Sequence, residues 1–279
     1  MRPSAGIGFK PEHFEAAADC SAEGLWFEIH AENYMVDGGP RLAMLDAIRE
    51  RHDISIHGVG LSLAGAEDID AEHLARLKRL ADRVEPMLLS EHLAWSRIGA
   101  THLPDLLPIP RTREALHRVA RNIERAQEAL GRRIAIENPA HYLPIPGHEW
   151  DEPDFLDELA KRTGCSLLID VNNIFVSANN LGYSAQRYVA ALPVAAITEI
   201  HIAGHRPDAR HGEAILIDSH DAPVAEPVWA LLDLLLSRGA PAPILLERDG
   251  DIPCFDDLLR ERDRAARAMR RTMELAHAF

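Results

Sequence analysis

Three features are scarce or missing in this 279-residue chain, and each absence excludes a class of protein. Cysteine occurs only three times, and Cys20, Cys165 and Cys254 are too far apart to predict a disulfide framework or a thiolate metal site. No run approaches the roughly 18 apolar residues that a membrane span needs, and the N-terminus lacks the apolar core of a signal peptide. We therefore expect a cytoplasmic protein with reduced thiols and no membrane partner.

Positive charge is the third feature in short supply. The chain has 30 Lys and Arg against 44 Asp and Glu, a net charge of −14, and its only lysines are Lys10, Lys78 and Lys161. A chain this acidic repels phosphate backbones unless it carries a concentrated basic groove, and here the arginines are scattered along acidic helices. We therefore expect no nucleic-acid partner.

Short apolar runs recur along the whole chain, and helical stretches separate them. Segments 71–84 and 113–130 carry apolar residues at three- and four-residue spacing, which predicts amphipathic helices, and Gly131 and Gly164 stand where helix C-caps are expected. The eight runs are GIGF (6–9), GLWFEIH (24–30), DISIHGVG (53–60), PMLLSEHLAW (86–95), RIAIENP (133–139), CSLLIDVNN (165–173), ITEIHIAGH (197–205) and PILLERD (243–249). Eight buried strands alternating with helices predict an α/β protein with a (β/α)8 TIM-barrel fold.

The length of the chain fits one barrel, so residues 1–279 are expected to form a single domain. An open, doubly wound sheet is the alternative fold. It predicts a Gly-rich phosphate loop after the first strand, and no G-x-G-x-x-G occurs in the sequence. The Pro-rich stretch 101–111 is too short to be a domain and is expected to be a loop on the barrel rim.

The ends of these runs carry many imidazole and carboxylate side chains. In a TIM barrel the carboxyl ends of the strands meet on one face, where active sites are built. Burying unpaired charges is costly, and bound cations supply the compensating charge. The residues are Glu28 and His30 in the second run, His57 in the third, His92 in the fourth, Glu137 in the fifth, Asp170 and Asn173 in the sixth, His201 and His205 in the seventh, Glu247 in the eighth, and Asp218 and His220 in the loop that follows the seventh. The pattern predicts a metal centre.

The donor types narrow the choice of metal. Imidazole and carboxylate without cysteine suit zinc, iron or manganese, and they argue against copper(I) and iron–sulfur clusters. The donors are too many for one ion that keeps an open position, so two or three ions are expected, with Glu137 as a bridge. Asp170 and Asn173 lie close together in a strand-to-loop turn, and Asp218 and His220 lie on one face of an extended segment, so each pair can reach one ion.

A set of motifs in fixed order carries a family resemblance. The motifs are HGVGLSL (57–63), SEHLAWS (90–96), DLLPIP (105–110), IENPAHYL (136–143), DVNNIFVSANNLGY (170–183), EIHIAGH (199–205) and LIDSHDAPV (216–224). Together they closely resemble the multinuclear non-haem iron-dependent oxidative enzymes, and the match extends from Gly6 to about Leu259.

The resemblance implies a TIM barrel that holds two or three iron ions in mixed valence, with dioxygen as co-substrate. It also implies action on cysteine residues of a ribosomally made precursor peptide. The implied reactions include oxazolone–thioamide formation, excision of the cysteine β-carbon and formation of related heterocycles. A small partner protein that helps recruit the peptide is implied as well.

The same set of ligands resembles that of the endonuclease IV barrels, which hold three zinc ions. Carried over by position, the first ion takes His57, His92 and Glu137; the second takes Glu137, Asp170, His201 and Glu247; the third takes Asp218, His220 and Asn173. The endonuclease pattern has histidine where this chain has Asn173, whereas the oxidase motif has asparagine, and an amide donor predicts variable occupancy of the third site. Arg248 stands where the oxidase family usually places an aromatic residue, which leaves the neighbouring ligand intact.

Four further residues near the same face are candidates for catalysis or for orienting the peptide: Glu28, Glu32, Asn33 and His205. Glu28 and Glu32 could equally be rim carboxylates paired with arginines.

Three other function classes remain open at this point. A metal-dependent hydrolase of the endonuclease IV kind needs a basic, aromatic DNA groove. A sugar isomerase on this barrel usually needs a catalytic lysine or histidine, and we expect none of the three lysines at a strand end. A non-enzymatic metal-binding protein would lack an open coordination position.

Overall fold

Eight parallel strands close into a barrel in the computed structural model, which describes residues 4–99, 101–240 and 242–277. Around the barrel the strands follow the order β1, β12, β9, β8, β7, β4, β3, β2. They are β1 (Ala5–Gly8), β2 (Leu25–His30), β3 (Ile54–Gly58), β4 (Leu88–His92), β7 (Ala135–Glu137), β8 (Ser166–Asp170), β9 (Ile197–Ile202) and β12 (Ile244–Leu246). Each apolar run overlaps one of these strands, so the predicted TIM barrel is confirmed.

Helices connect the strands and cover the barrel. The α-helices are α1 (Phe14–Asp19), α2 (Pro40–Arg49), α3 (Ala71–Val84), α4 (Arg113–Leu130), α5 (Glu152–Thr163), α6 (Val171–Leu181), α7 (Ala185–Ala191), α8 (Glu226–Ser237) and α9 (Phe255–His277). Short 3₁₀ helices span Pro11–His13, Ala31–Asn33 and Val194–Ala196. Among the described helices, none is long and apolar enough to cross a bilayer.

The two helices predicted from apolar spacing have the predicted limits, and their end residues show why. The Asp70 carboxylate accepts hydrogen bonds from the backbone of the first turn of α3, and the Thr112 hydroxyl does the same for α4. At the other end of α4, Gly131 adopts φ 67°, a left-handed conformation that glycine reaches without strain. Gly164 ends α5 in the same way, with φ 68°.

The apolar stripe of each helix is buried against the barrel. In α3 this stripe includes Leu74, Leu77, Leu80 and Val84, and in α4 it extends from Ala115 to Leu130. Both stripes belong to one continuous apolar core together with the outward-facing strand residues. The packing fixes the strands in register and so places their carboxyl ends, where the polar side chains lie, on one face.

The segment after β4 differs from the expectation. Residues 101–111 were expected to be a loop, yet residues 101–107 form a strand, β6 (Thr101–Leu107), paired antiparallel with β5 (Trp95–Ile98). The fourth apolar run therefore contains the whole of β4 and the first residue of a hairpin, Trp95. Most of β6 is exposed, so it lacks the alternation of buried and exposed residues that marks a strand in sequence. A second hairpin pairs β10 (Arg206–Asp208) with β11 (Gly212–Ile217).

Replacing Gly6 with alanine should destabilise the barrel. A Cβ atom at this position would lie 2.4 Å from the buried indole of Trp26, and a packed core does not relax fully around such a clash. We expect Gly6→Ala to lower the free energy of unfolding by about 1–3 kcal/mol, measured by urea denaturation. Gly8→Ala is the matched control on the same strand, because a Cβ there would meet only Lys10 Nζ at 3.9 Å. Equal midpoints for the two variants would contradict the prediction.

Candidate metal centre

Three side chains from neighbouring strands converge at the mouth of the barrel. His57 at the end of β3, His92 at the end of β4 and Glu137 at the end of β7 point to one spot. The Nε2 atoms of His57 and His92 lie 3.1 and 3.0 Å from Glu137 Oε2, and 3.4 Å from each other. Two imidazole nitrogens and a carboxylate oxygen facing one another at these distances form a ligand set for one cation.

In both His57 and His92, the other ring nitrogen contacts a neighbouring protein group. His92 Nδ1 lies 3.0 Å from the Gly58 carbonyl oxygen, which can only accept, so Nδ1 carries the proton. His57 Nδ1 lies 2.7 Å from the Ser90 hydroxyl. Because the His92 proton is on Nδ1, the lone pair of His92 Nε2 is directed at Glu137. This is the tautomer that a metal ligand needs.

A second group lies beside the first and shares Glu137 with it. Ligand atoms of Glu137, Asp170 and His201 lie within 4.8 Å of one another. Glu247 joins them from the end of β12, with its Oε2 at 3.3 Å from His201 Nδ1. Asp170 lies at the end of β8 and also caps α6 by accepting the Asn173 N–H at 2.6 Å. The expected strand-to-loop turn is therefore the first turn of a helix.

The third predicted pair also comes together, although not in an extended segment. His220 Nε2 lies 2.8 Å from Asp218 Oδ1. His220 has φ 49°, a left-handed conformation, so the pair lies in a turn after β11. His220 also approaches the second group: its ligand atom lies within 4.8 Å of those of Asp170 and Glu247.

Asn173 is oriented by its amide nitrogen. Its Nδ2 donates to Glu137 Oε1 at 3.3 Å and to the Asn138 carbonyl at 3.0 Å. Its Oδ1 is buried and makes no hydrogen bond in the described structure. The side chain therefore supports the bridging carboxylate and presents a free oxygen.

Electrostatics at the centre depend on the Glu137 carboxylate. Although burial opposes its charge, the imidazoles of His92 and His57 lower the pKa of Glu137 to about 2. Burial likewise opposes a charged His57, yet the adjacent Glu137 raises the pKa of His57 to about 10. Burial and the nearby charge of Asp218 raise the pKa of Asp170 well above its ordinary value. Carboxylates packed this closely repel one another, and cations relieve that repulsion.

The residues fit a multinuclear metal site. Glu137 Oε2, Asp170 Oδ2 and Asn173 Oδ1 are all buried, and none makes a hydrogen bond in the described structure. Buried polar atoms are normally paired. Here Asp170 Oδ2 and Asn173 Oδ1 have no hydrogen-bond partner among the described residues, and Glu137 Oε2 is close only to the two histidine nitrogens, which is the arrangement expected around a bound cation. Imidazole and carboxylate donors without a thiolate are the set expected for zinc, iron or manganese.

The four residues predicted to act on the peptide lie in different surroundings. Glu28 is buried beneath the centre, with its Oε1 at 3.4 Å from His201 Nε2. Glu32 Oε1 accepts hydrogen bonds from the backbone N–H groups of Val59 and Gly60, so it holds the loop that follows His57. Their catalytic roles stay predictions.

Asn33 and His205 lie nearer the opening. Asn33 is exposed and, with Glu247, lines a small cavity of about 90 Å³. His205 Nδ1 lies 2.7 Å from Asn172 Oδ1, and Asn172 donates to Asp218 Oδ1 at 2.7 Å. This chain of contacts connects His205 to the third pair, while its role toward the peptide stays a prediction.

Two basic residues, Lys10 and Arg248, lie near the centre. Lys10 was expected away from the strand ends, but it follows β1 closely, and its Nζ lies 2.8 Å from Asp249 Oδ1. The Lys10 ammonium is therefore ion-paired with a carboxylate at the rim of the centre. Arg248 is buried and lies 3.7 Å from Glu261 on α9, so it packs outward from Glu247 into the helix layer.

Three polar residues inside the barrel were not among the predicted site residues. Ser55, Ser90 and Glu199 are buried, and each precedes a predicted ligand by two positions. Side chains two apart on a strand point to the same face, so the alternation of strand residues could have identified all three.

Comparisons with known proteins identify the family of this chain. Residues 4–270 match the family described as RiPP precursor modification enzyme MbnB/TglH/ChrH, RiPPs being ribosomally made, modified peptides. The chain belongs to this family. The resemblance to the multinuclear non-haem iron-dependent oxidative enzymes is thereby confirmed.

The relatives cover almost the whole chain. A UPF0276 protein of Caulobacter sp. (strain K31) is 62% identical over 265 residues, covering 95% of this chain and 96% of that protein. A UPF0276 protein of Bordetella bronchiseptica is 51% identical over 273 residues, covering 98% of this chain and 94% of that protein.

Solved structures similar to this one support the fold. A xylose isomerase-like TIM barrel protein from Mycobacterium smegmatis in complex with magnesium has a TM-score of 0.60 at 13% identity, covering 97% of each chain. Endonuclease IV from Thermus thermophilus has a TM-score of 0.57 at 17% identity, covering 98% of this chain and 99% of that one. At such identities the likeness shows the barrel alone.

Glu32→Gln should reduce stability in a pH-dependent way. Although burial opposes the charge, His73 and the Val59 N–H lower the pKa of Glu32 to about 2. This is below the roughly 4.3 of an unfolded glutamate, so the charge stabilises the fold above about pH 4, and the effect disappears as the pH falls through 2.

At pH 7 we expect the variant to lose about 1 kcal/mol, because a neutral amide accepts more weakly than a carboxylate. The loss should shrink toward pH 3, measured by thermal unfolding at several pH values. Glu128→Gln, at an exposed position on α4, is the control. A deficit that stays constant with pH would show that the charge of Glu32 is not involved.

Proposed function

We propose that this chain is an iron-dependent oxidase that uses dioxygen to modify cysteine residues of a ribosomally made precursor peptide. The products would be oxazolone–thioamide groups or related heterocycles. Membership of a family of precursor-modifying enzymes supports the peptide substrate. The donor set at the barrel mouth supports a redox-capable metal, since iron accepts this mixture of imidazole and carboxylate.

The observation that carries the proposal is the position of Glu137. Its Oε2 atom is buried, close to two imidazole nitrogens and without a hydrogen bond. Its Oε1 atom is held by Asn173 Nδ2. A carboxylate anchored in this way belongs to both the His57–His92 group and the Asp170–His201 group, so it would be a ligand that two ions share.

The residues proposed to hold iron are those that converge at the barrel mouth. For the first ion they are His57, His92 and Glu137; for the second, Glu137, Asp170, His201 and Glu247; for the third, Asp218, His220 and Asn173. When bound, iron would supply an open position for the cysteine thiolate and would pass electrons from that cysteine, which is oxidised, to dioxygen, which is reduced.

The chain's own groups prepare this chemistry. The Gly58 carbonyl fixes the His92 tautomer, and Asn172 holds Asp218. The low pKa of Glu137 keeps its carboxylate ionised throughout the physiological range. Beside Glu247, the small cavity lined by Lys10, Asn33 and Arg41 gives the peptide polar and cationic contacts next to the centre.

The surroundings of the site are also part of the proposal. A net charge of −14 would attract basic segments of a precursor peptide. A small partner protein that recruits the peptide, a cytoplasmic location, the absence of a nucleic-acid partner and a single domain over residues 1–279 stay predictions.

Glu137→Ala should lose bound iron and peptide modification together, because the variant removes the shared ligand. We expect iron per chain to fall by at least one ion, and modified peptide to fall more than tenfold. Elemental analysis measures the first quantity. Mass spectrometry of a cysteine-containing test peptide co-expressed with the enzyme measures the second.

Glu128→Ala, on the outer surface of α4, is the control for expression and handling. An iron-replete and active Glu137→Ala protein would rule out the proposed bridge.

A further inference from the structure

A second polar group is buried in the barrel directly beneath the candidate metal centre. It consists of Glu28 on β2, Ser55 on β3, and Glu199 and His201 on β9. Glu28 is 2% exposed, and the other three are fully buried. Two carboxylates in a barrel interior are expensive to bury, so they require a specific partner.

Ser55 connects the two carboxylates across the barrel. Its Oγ lies 3.0 Å from Glu28 Oε2 and 3.2 Å from Glu199 Oε1. Glu28 and Ser55 are opposite one another on paired strands, whereas β9 does not neighbour β2 or β3. The hydroxyl therefore lies within hydrogen-bond distance of two glutamates from separate parts of the wall and donates its single proton to one of them at a time.

The two nitrogens of His201 face different surroundings. Nδ1 lies 3.3 Å from Oε2 of Glu247, on the metal side. Nε2 points into the barrel, at 3.4 Å from Glu28 Oε1 and 3.7 Å from Glu199 Oε1. In the described structure, Nε2 is buried and no acceptor lies at the distance and angle of a hydrogen bond. Glu199 Oε2 is likewise buried and accepts no hydrogen bond there.

An imidazole that binds a metal through one nitrogen carries its proton on the other. That N–H normally donates to a carboxylate or carbonyl, which sets the ring orientation and raises the basicity of the ligating nitrogen. For His201 the carboxylates that face Nε2 are those of Glu28 and Glu199.

We infer that Glu28 and Glu199 are positioning residues that accept the Nε2–H of His201 and thereby hold its Nδ1 toward the second metal. This inference rests on the proposed metal centre. It assigns Glu28 a place behind a ligand, in contrast to the expectation that Glu28 contacts the peptide. It also gives a function to Glu199, which the sequence analysis did not identify.

The test measures metal binding by Glu28→Gln and Glu199→Gln without any peptide. Metal-free protein is titrated anaerobically with Fe²⁺ against a competing chelator. We expect one ion per chain to bind about 10–100-fold more weakly than in the unmodified protein, as is typical when a carboxylate behind a histidine ligand is lost. Glu28→Asp, which keeps the carboxylate, should recover part of the affinity.

A spectroscopic readout separates positioning from a general loss of stability. With Co²⁺ at saturation, the visible bands of both Gln variants should shift relative to the unmodified protein, because the basicity of one ligand has changed. Glu152→Gln is the matched buried control: Glu152 contacts His141, Arg111 and Tyr188, away from the metal ligands. It should lower the melting temperature and leave both the Fe²⁺ affinity and the Co²⁺ spectrum unchanged.

The outcomes separate this inference from the proposed function. Unmodified protein that binds several Fe²⁺ ions, with Gln variants of equal affinity and spectrum, would overturn the positioning role and leave the metal centre in place. Unmodified protein that binds no Fe²⁺ would overturn both. An equal loss of affinity in Glu152→Gln would show that any buried carboxylate has this effect, which also contradicts the inference.

Discussion

The close packing of carboxylates and imidazoles at the barrel mouth is the constraint on which the rest of the site depends. Glu137 approaches two histidines on one side and Asp170 on the other, and both carboxylates are buried. Charges buried in this way are strongly unfavourable unless they are paired. Although burial opposes its charge, the imidazoles of His92 and His57 lower the pKa of Glu137, whereas burial and the charge of Asp218 raise the pKa of Asp170. Cations at this position would pair with both carboxylates.

Further protein groups around the ligand side chains hold them in position. Ser90 and the Gly58 carbonyl orient two histidines, Asn172 orients Asp218, and Glu32 fixes the loop after β3. Ser90 and the Gly58 carbonyl belong to barrel strands, whereas Asn172 lies in the first turn of α6 and Glu32 in a short 3₁₀ helix. Rigid support of this kind holds ligands at fixed distances and leaves the loops above free to differ between substrates.

Much of the fold and the site could be predicted from sequence, for reasons that particular residues illustrate. His57, Glu137 and Glu247 stand at the ends of apolar runs, and parallel strands bring such ends together wherever the runs lie in the chain. Helices α3 and α4 could be delimited because Asp70 and Gly131 mark their ends locally.

The remaining features depend on contacts that no local pattern encodes. Strand β6 pairs with β5 in a hairpin, but β6 is largely exposed. Its residues therefore do not alternate between buried and exposed positions. The turn at His220 and the helical position of Asn173 depend on where β11 and β8 end. Polar and apolar residues continue past these points without a break, so the ends of the two strands cannot be located from the sequence. Glu199 contacts Ser55 across the barrel, and only the closed barrel brings these distant residues together.

The most direct test of the central claim is the metal content of freshly purified protein after anaerobic, iron-supplemented expression. Elemental analysis gives the stoichiometry, and Mössbauer spectroscopy gives the oxidation state and coupling. The account predicts two or three irons per chain, with a coupled mixed-valent pair. Stoichiometric zinc with no iron would contradict it and would favour a hydrolytic barrel enzyme.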